Sequence, residues 1–157
     1  MKVYVKNSAQ HGRGVFAGTP LCAGEEIIKF TGPLLHRAQL NPDDYHLQID
    51  DELYLGPSGQ PDDYVNHCCA PNAAFGDGLS LIALRDIAAH EEITWDYSTA
   101  IDEADFAGFP CCCGAPACRK IVASFRHLNA ADQQRLAPYA LPYLKAKLGP
   151  GRQTSTG

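Results

Sequence analysis

The chain has 157 residues, 45% hydrophobic and 20% charged, with a formal net charge of −5 at neutral pH. That length suits one domain able to bury a core without disulfide staples. The acidic balance weighs against direct nucleic-acid binding, which asks for a basic face, and suits a basic protein or peptide partner.

Val3 and Val5 flank Tyr4 in an alternating stretch that predicts a first strand. Gly12-Arg13-Gly14 then leads into Val15-Phe16-Ala17, and Glu26 to Phe30 reads as a strand ended by Gly32-Pro33. Leu34 to Leu40 is expected to form one or two helical turns, with a turn signal at Asn41-Pro42-Asp43-Asp44. Tyr45 to Ile49 alternates as a strand, and Asp50-Asp51 would turn it into Leu53-Tyr54-Leu55. Leu79 to Leu84 has the look of a buried strand, and Ile93-Thr94-Trp95-Asp96-Tyr97 carries β-branched and aromatic residues. Ala100 to Gly108 is acidic and irregular and is expected to be a mobile loop.

Beyond Cys118 the pattern turns helical. Asn129 can cap a helix from Ala130 to Ala137 that stops before Pro138, and a second helix is expected from Pro142 to Leu148. Gly149 to Gly157 is expected to be disordered. With no repeat and no dividing linker, the reading is a mainly β, β-rich α+β chain of many short strands.

Seven cysteines is an odd number, and five of them fall in two runs, Cys68-Cys69 and Cys111-Cys112-Cys113. That spacing is not a disulfide framework. Met1-Lys2-Val3-Tyr4-Val5-Lys6 lacks the apolar core of a signal peptide, and no stretch approaches the roughly 20 apolar residues of a membrane span. The expected setting is a reducing one, cytoplasm or nucleus, with an exported bacterial protein as the other option. Cys111-x-Cys113-x4-Cys118 puts three thiols within reach of one ion, and zinc favours four sulfur ligands in a tetrahedron. A fourth must come from elsewhere, with Cys69 or Cys68 as suppliers. Gly114 allows a tight turn between ligands, Arg119 adds positive charge, and the lone Cys22 reads as a buried, inert thiol.

Asn66-His67-Cys68-Cys69-Ala70-Pro71-Asn72 resembles the Asn-His-Ser-Cys-x-Pro-Asn signature of SET-domain methyltransferases. Ile93-Thr94-Trp95-Asp96-Tyr97, preceded by Glu91-Glu92, is similar to that family's second signature. Phe109 to Arg119 is similar to its post-SET zinc motif, His11 to Ala17 to its N-terminal glycine turn, and Phe30-Thr31-Gly32 to the aromatic-x-Gly that follows. These elements stand in the family's order and cover roughly residues 1–121. Cys68 stands where serine is usual, Asp63-Tyr64 replaces the common Arg-Phe, and no cysteine-rich segment precedes the glycine turn.

The resemblance implies a SET fold of several small sheets around a knot-like core, with the Asn-His and Asp-Tyr segments side by side. It implies a SET domain over 1–108, a post-SET zinc segment over 109–121, and a helical extension over 122–148. The implied activity is methyl transfer from S-adenosylmethionine (SAM) to a protein lysine, in a histone or similar basic segment. The contrasting reading is an inactive, zinc-stabilised SET-like binding module. By the same resemblance, Tyr97 is the catalytic tyrosine, and Tyr45 serves both catalysis and the lysine channel. Trp95 and Phe109 also line that channel. Asn66, His67, Tyr97 and the Gly12-Arg13-Gly14 turn would bind SAM, with Arg13 either pairing the SAM carboxylate or standing solvated. The structural zinc would take Cys69, Cys111, Cys113 and Cys118. Trp95, at a position where many members carry Phe or Tyr, implies a di- or trimethyl product. The run Asp102-Glu103-x-Asp105 could attract a basic tail or simply be solvated, and the protein could be a monomer or a homodimer.

Overall fold

The computed structural model describes residues 1–149, so the expected disordered tail lies, apart from Gly149, outside the described residues. In chain order the strands are β1 (Val3–Asn7), β2 (Arg13–Ala17), β3 (Glu26–Lys29), β4 (Leu34–His36), β5 (Leu47–Gln48) and β6 (Leu53–Leu55). They continue with β7 (Asn66–His67), β8 (Ala73–Phe75), β9 (Ser80–Ala83), β10 (Glu92–Trp95), β11 (Phe109–Pro110) and β12 (Ile121–Val122). Two short helices close the described chain, α1 (Ala130–Leu136) and α2 (Pro142–Leu148). Together the strands form one four-stranded sheet, two of three strands and one hairpin. This is the arrangement of several small sheets that the resemblance implies.

The four-stranded sheet, in order β1-β2-β10-β7, builds the centre. Its inner strand β2 is buried at four of its five residues, Gly14 to Ala17, because it is flanked on both edges. β10 pairs with β2 antiparallel and with β7 in parallel, setting Thr94 beside Asn66 and Trp95 beside His67. A parallel pair needs a crossover. Here β8 and β9 provide it, and with β3 they form a second sheet against the same core. Val15, Ile27, Phe30, Phe75, Leu81, Ile93 and Trp95 fill the space between.

The expected helical turn over Leu34–Leu40 is instead a strand, Leu34–His36, followed by a single 3-10 turn at Arg37–Gln39. The strand is captured by β6, which lies between β4 and β5, so pairing overrides the local helical pattern. Only Leu47–Gln48 of the expected Tyr45–Ile49 strand pairs, which leaves Tyr45 in the connection. Cys22 is exposed, not buried, because it sits in the turn between the Leu21 bridge and β3.

The C-terminal helices have their own small core of Phe125, Leu136, Ala140 and Leu144. The phenylalanine and the two leucines each contribute about 1.5–3 kcal/mol when fully buried. Asn129 caps α1 by accepting from Asp132 N–H at 2.8 Å. The expected mobile acidic loop is held by the turn before α1, by α2 and by β6. Asp102 is buried and takes Arg126 at 3.0 Å and Lys147 at 3.0 Å. Glu103 accepts from the Tyr54 hydroxyl at 2.8 Å. Two of the three acids offered for a basic tail are therefore engaged within the fold. No helix among the described residues is long and apolar enough to cross a membrane.

Candidate active site and metal centre

Two cavities flank Tyr97. One, of about 240 Å³, is lined by Phe30, Tyr45, Leu47, Val65, Trp95, Tyr97 and Ile101, with Asp44, Asp62 and Asp63 also in its wall. The other, of about 160 Å³, is lined by Gln10, His11, Asn66, His67, Tyr97, Phe109 and Cys111–Cys113. Tyr97 belongs to both walls. The parallel pairing of β7 with β10 explains this, since it carries the Asn-His segment up to the residue that follows Trp95 and Asp96.

The Tyr97 hydroxyl donates to the Val65 carbonyl at 2.7 Å. Burial, with the Tyr45 and Glu92 charges adding to it, pushes the phenol above its ordinary range, so it stays protonated at neutral pH. It is thus a hydrogen-bond donor at neutral pH. Its ring lies 4.8 Å from Trp95 and 5.3 Å from His67, centroid to centroid. Trp95 also packs edge-on to Phe30 and Phe75, at 5.9 and 4.8 Å. Its indole N–H is buried without a hydrogen-bond partner among the described residues.

Tyr45 and Trp95 share the larger cavity with Tyr97, whereas Phe109 lines the smaller one, 42% exposed and 6.3 Å from the Tyr97 ring. Asn66 and His67 stand in the smaller cavity, but the Gly12-Arg13-Gly14 turn does not line it directly. Asn66 Nδ2 lies 3.2 Å from the His11 carbonyl, 3.0 Å from the Arg13 carbonyl and 2.9 Å from Glu92 Oε1. A Cβ on Gly14 would fall 2.2 Å from that Glu92 oxygen, so glycine there makes room for the Asn66–Glu92 contact. Gly12 has φ +47°, the left-handed region glycine enters without a steric cost. The Arg13 guanidinium is exposed and covers the Tyr64 ring at 4.7 Å.

Cys69, Cys111, Cys113 and Cys118 bring their sulfurs within 4.8 Å of one another. Burial and the backbone compete at Cys113. The N–H groups of Cys69 and Ala115 and the neighbouring thiols win, holding it down to about 6. Burial first, and then the Cys113 charge, push Cys69 up to about 11, and burial raises Cys111 as well. Sulfurs packed this closely can carry four thiolate charges together only around a cation. This donor set fits one structural zinc. Cys68 is buried outside the set and Cys112 is exposed.

Residues 12–98 match the family model of the SET domain. The chain belongs to the SET-domain family. The histone-lysine N-methyltransferase, H3 lysine-4 specific, of Eremothecium gossypii is 32% identical over 132 residues, 71% of this chain and 14% of that protein. Histone-lysine N-methyltransferase trithorax of Drosophila melanogaster is 31% identical over 137 residues, 75% of this chain and 4% of that protein. Among solved structures, KRYPTONITE in complex with mCHH DNA, H3(1-15) peptide and SAH is similar with a TM-score of 0.59 and 26% identity. It is matched over 77% of this chain and 29% of its own. This SET chain therefore spans a small part of each relative's length.

Within this SET domain, sequence reasoning passed over three residues that hold the site. Asp96 is 2% exposed and takes both terminal Arg119 guanidinium nitrogens at 2.8 Å, tying the Asp-Tyr segment to the zinc segment. Glu92 holds Asn66, and Gln10 donates to the Cys113 carbonyl at 3.0 Å. A charged residue inside the apolar run Ile93–Tyr97 was the available signal for Asp96, since a buried carboxylate requires a partner.

Proposed function

We propose that this chain is the catalytic unit of a protein-lysine N-methyltransferase that uses SAM and acts on a basic segment such as a histone tail. The observation that carries this is the position of Tyr97 as the common wall of two cavities, one beside Asn66 and His67 and the other aromatic. SAM supplies an electrophilic methyl group on a cationic sulfur. The accepting amine must be neutral, against an ordinary lysine pKa of about 10.4. The apolar walls given by Phe30, Leu47, Trp95 and Ile101 disfavour the ammonium form. Tyr97 and Tyr45 orient the amine, and Tyr97, staying protonated, holds its hydroxyl at a fixed point. Catalysis is then mainly positioning.

The relatives named for H3 lysine-4 and trithorax support a histone substrate, and the neighbour bound to an H3 peptide and SAH supports both ligands. Asp44, Asp62 and Asp63 in the wall of the larger cavity suit a cationic segment. Cys69, Cys111, Cys113 and Cys118 would hold zinc, whose part is to fix the segment that walls the smaller cavity.

The test is incubation with methyl-labelled SAM, a histone panel and a cell lysate. Label on lysine of a basic protein is expected. Failure to bind SAM in calorimetry would overturn the proposal and leave the inactive binding module.

A further inference from the structure

We infer that the His67 imidazole is a positioning residue that links the metal centre to the backbone of Tyr97. His67 lies on β7, and its ring is almost wholly buried. Nδ1 accepts from the Tyr97 N–H at 3.0 Å. A backbone N–H can only donate, so Nδ1 carries no proton and the neutral ring must hold its hydrogen on Nε2. Nε2 lies 3.4 Å from Cys69 Sγ, so the remaining N–H is directed at a sulfur of the four-thiol set. The same sulfur accepts from the Arg119 N–H at 3.4 Å.

The imidazole thus spans a sulfur of the thiol set and the Tyr97 backbone. One nitrogen grips the amide of the residue between the two cavities. The other donates to a metal ligand. A thiolate on a dication is a better acceptor than a thiol, so loading the metal strengthens the Nε2–H contact and fixes the ring plane. Fixing the ring fixes the direction of the Nδ1 lone pair, and with it the Tyr97 amide. The Asp96 carboxylate lies 3.7 Å from Nδ1, beyond hydrogen-bond reach, and is neutralised by Arg119, so it does not compete with the Tyr97 N–H for that nitrogen. Packing alone would not require both ring nitrogens to be satisfied by these two partners.

The part given to Tyr97 rests on the methyltransferase reading, whereas the contact between imidazole and ligand does not. The test is nuclear magnetic resonance of the whole chain loaded with a magnetically active cadmium isotope, with nitrogen-labelled histidine, tyrosine and arginine. Wild-type protein is expected to show cadmium coupling through Cys69 to two protons, the Arg119 amide and an imidazole N–H. His67→Asn keeps an acceptor at the δ position, so it should lose the imidazole coupling and keep the shifted Tyr97 amide signal. His67→Gln keeps a donor at the ε position, so it should do the reverse. Coupling to Arg119 with none to an imidazole in the wild type would overturn the inference, even if neither variant folds. So would both variants moving both signals alike. None of these readouts depends on methyl transfer.

Discussion

Tyr97 and Val65 are joined by a hydrogen bond of 2.7 Å from the phenol to a buried carbonyl, and that bond sets the hydroxyl between the two cavities. Val65 immediately precedes the Asn-His pair, so the segment that supplies one cavity also aims the residue shared by both.

Tyr97→Phe removes the donor and leaves the Val65 carbonyl unpaired. Turnover is expected to fall about 100-fold, the scale of a lost positioning group. Stability should fall by about 1–3 kcal/mol, the cost of an orphaned buried acceptor. Turnover assays and denaturant titration read the two effects separately, and full activity in the variant would remove Tyr97 from the mechanism.

Cys69→Ser should bind less than one equivalent of zinc under conditions where the wild type holds one. Cys69 comes from the Asn-His motif and the other three sulfurs from 111–118. The ion therefore ties two distant segments, and a chelator should abolish activity together with local structure around 109–122. Elemental analysis checks the stoichiometry. Full zinc content in the variant would reject Cys69 as a ligand.

Asp102 links the loop behind Tyr97 to the C-terminal helices. Burial would raise its pKa, but hydrogen bonds from Arg126 and Lys147 outweigh that and leave it lowered. A carboxyl depressed in the folded state stabilises the fold above its unfolded value of about 3.9 and loses that contribution as pH falls below it. Asp102→Asn should cost about 1–2 kcal/mol at neutral pH, a reduced figure because both cationic partners are over a third exposed. The deficit should shrink below about pH 3.9. Denaturant midpoints of both proteins across that range supply the check.

Trp95 lines the larger cavity without a hydroxyl to hold water near the amine. Mass spectrometry at long reaction times is expected to show di- or trimethyl-lysine, and Trp95→Tyr should shift the distribution toward monomethyl. Only monomethyl product from the wild type would contradict this.

Motif order along the chain was enough to indicate the SET family, and cysteine spacing was enough to indicate a metal site. Turn and cap residues also carried α2 and the start of α1, because Asn129 and Pro142 act through bonds within a few residues. What depended on distant partners was not legible. Leu34–His36 became a strand because β6 lies alongside it. Asp102 proved to be a buried anchor because Arg126 and Lys147 reach it from 24 and 45 residues away. The glycine turn reads as a cofactor loop in the sequence, and only the fold shows that the His11 and Arg13 carbonyls beside it also accept from Asn66. The choice between Cys68 and Cys69 shows the division most clearly. The cysteine spacing left both open and the family resemblance pointed to Cys69; the bend after β7 brings that sulfur, and not Cys68's, within 4.8 Å of Cys111, Cys113 and Cys118.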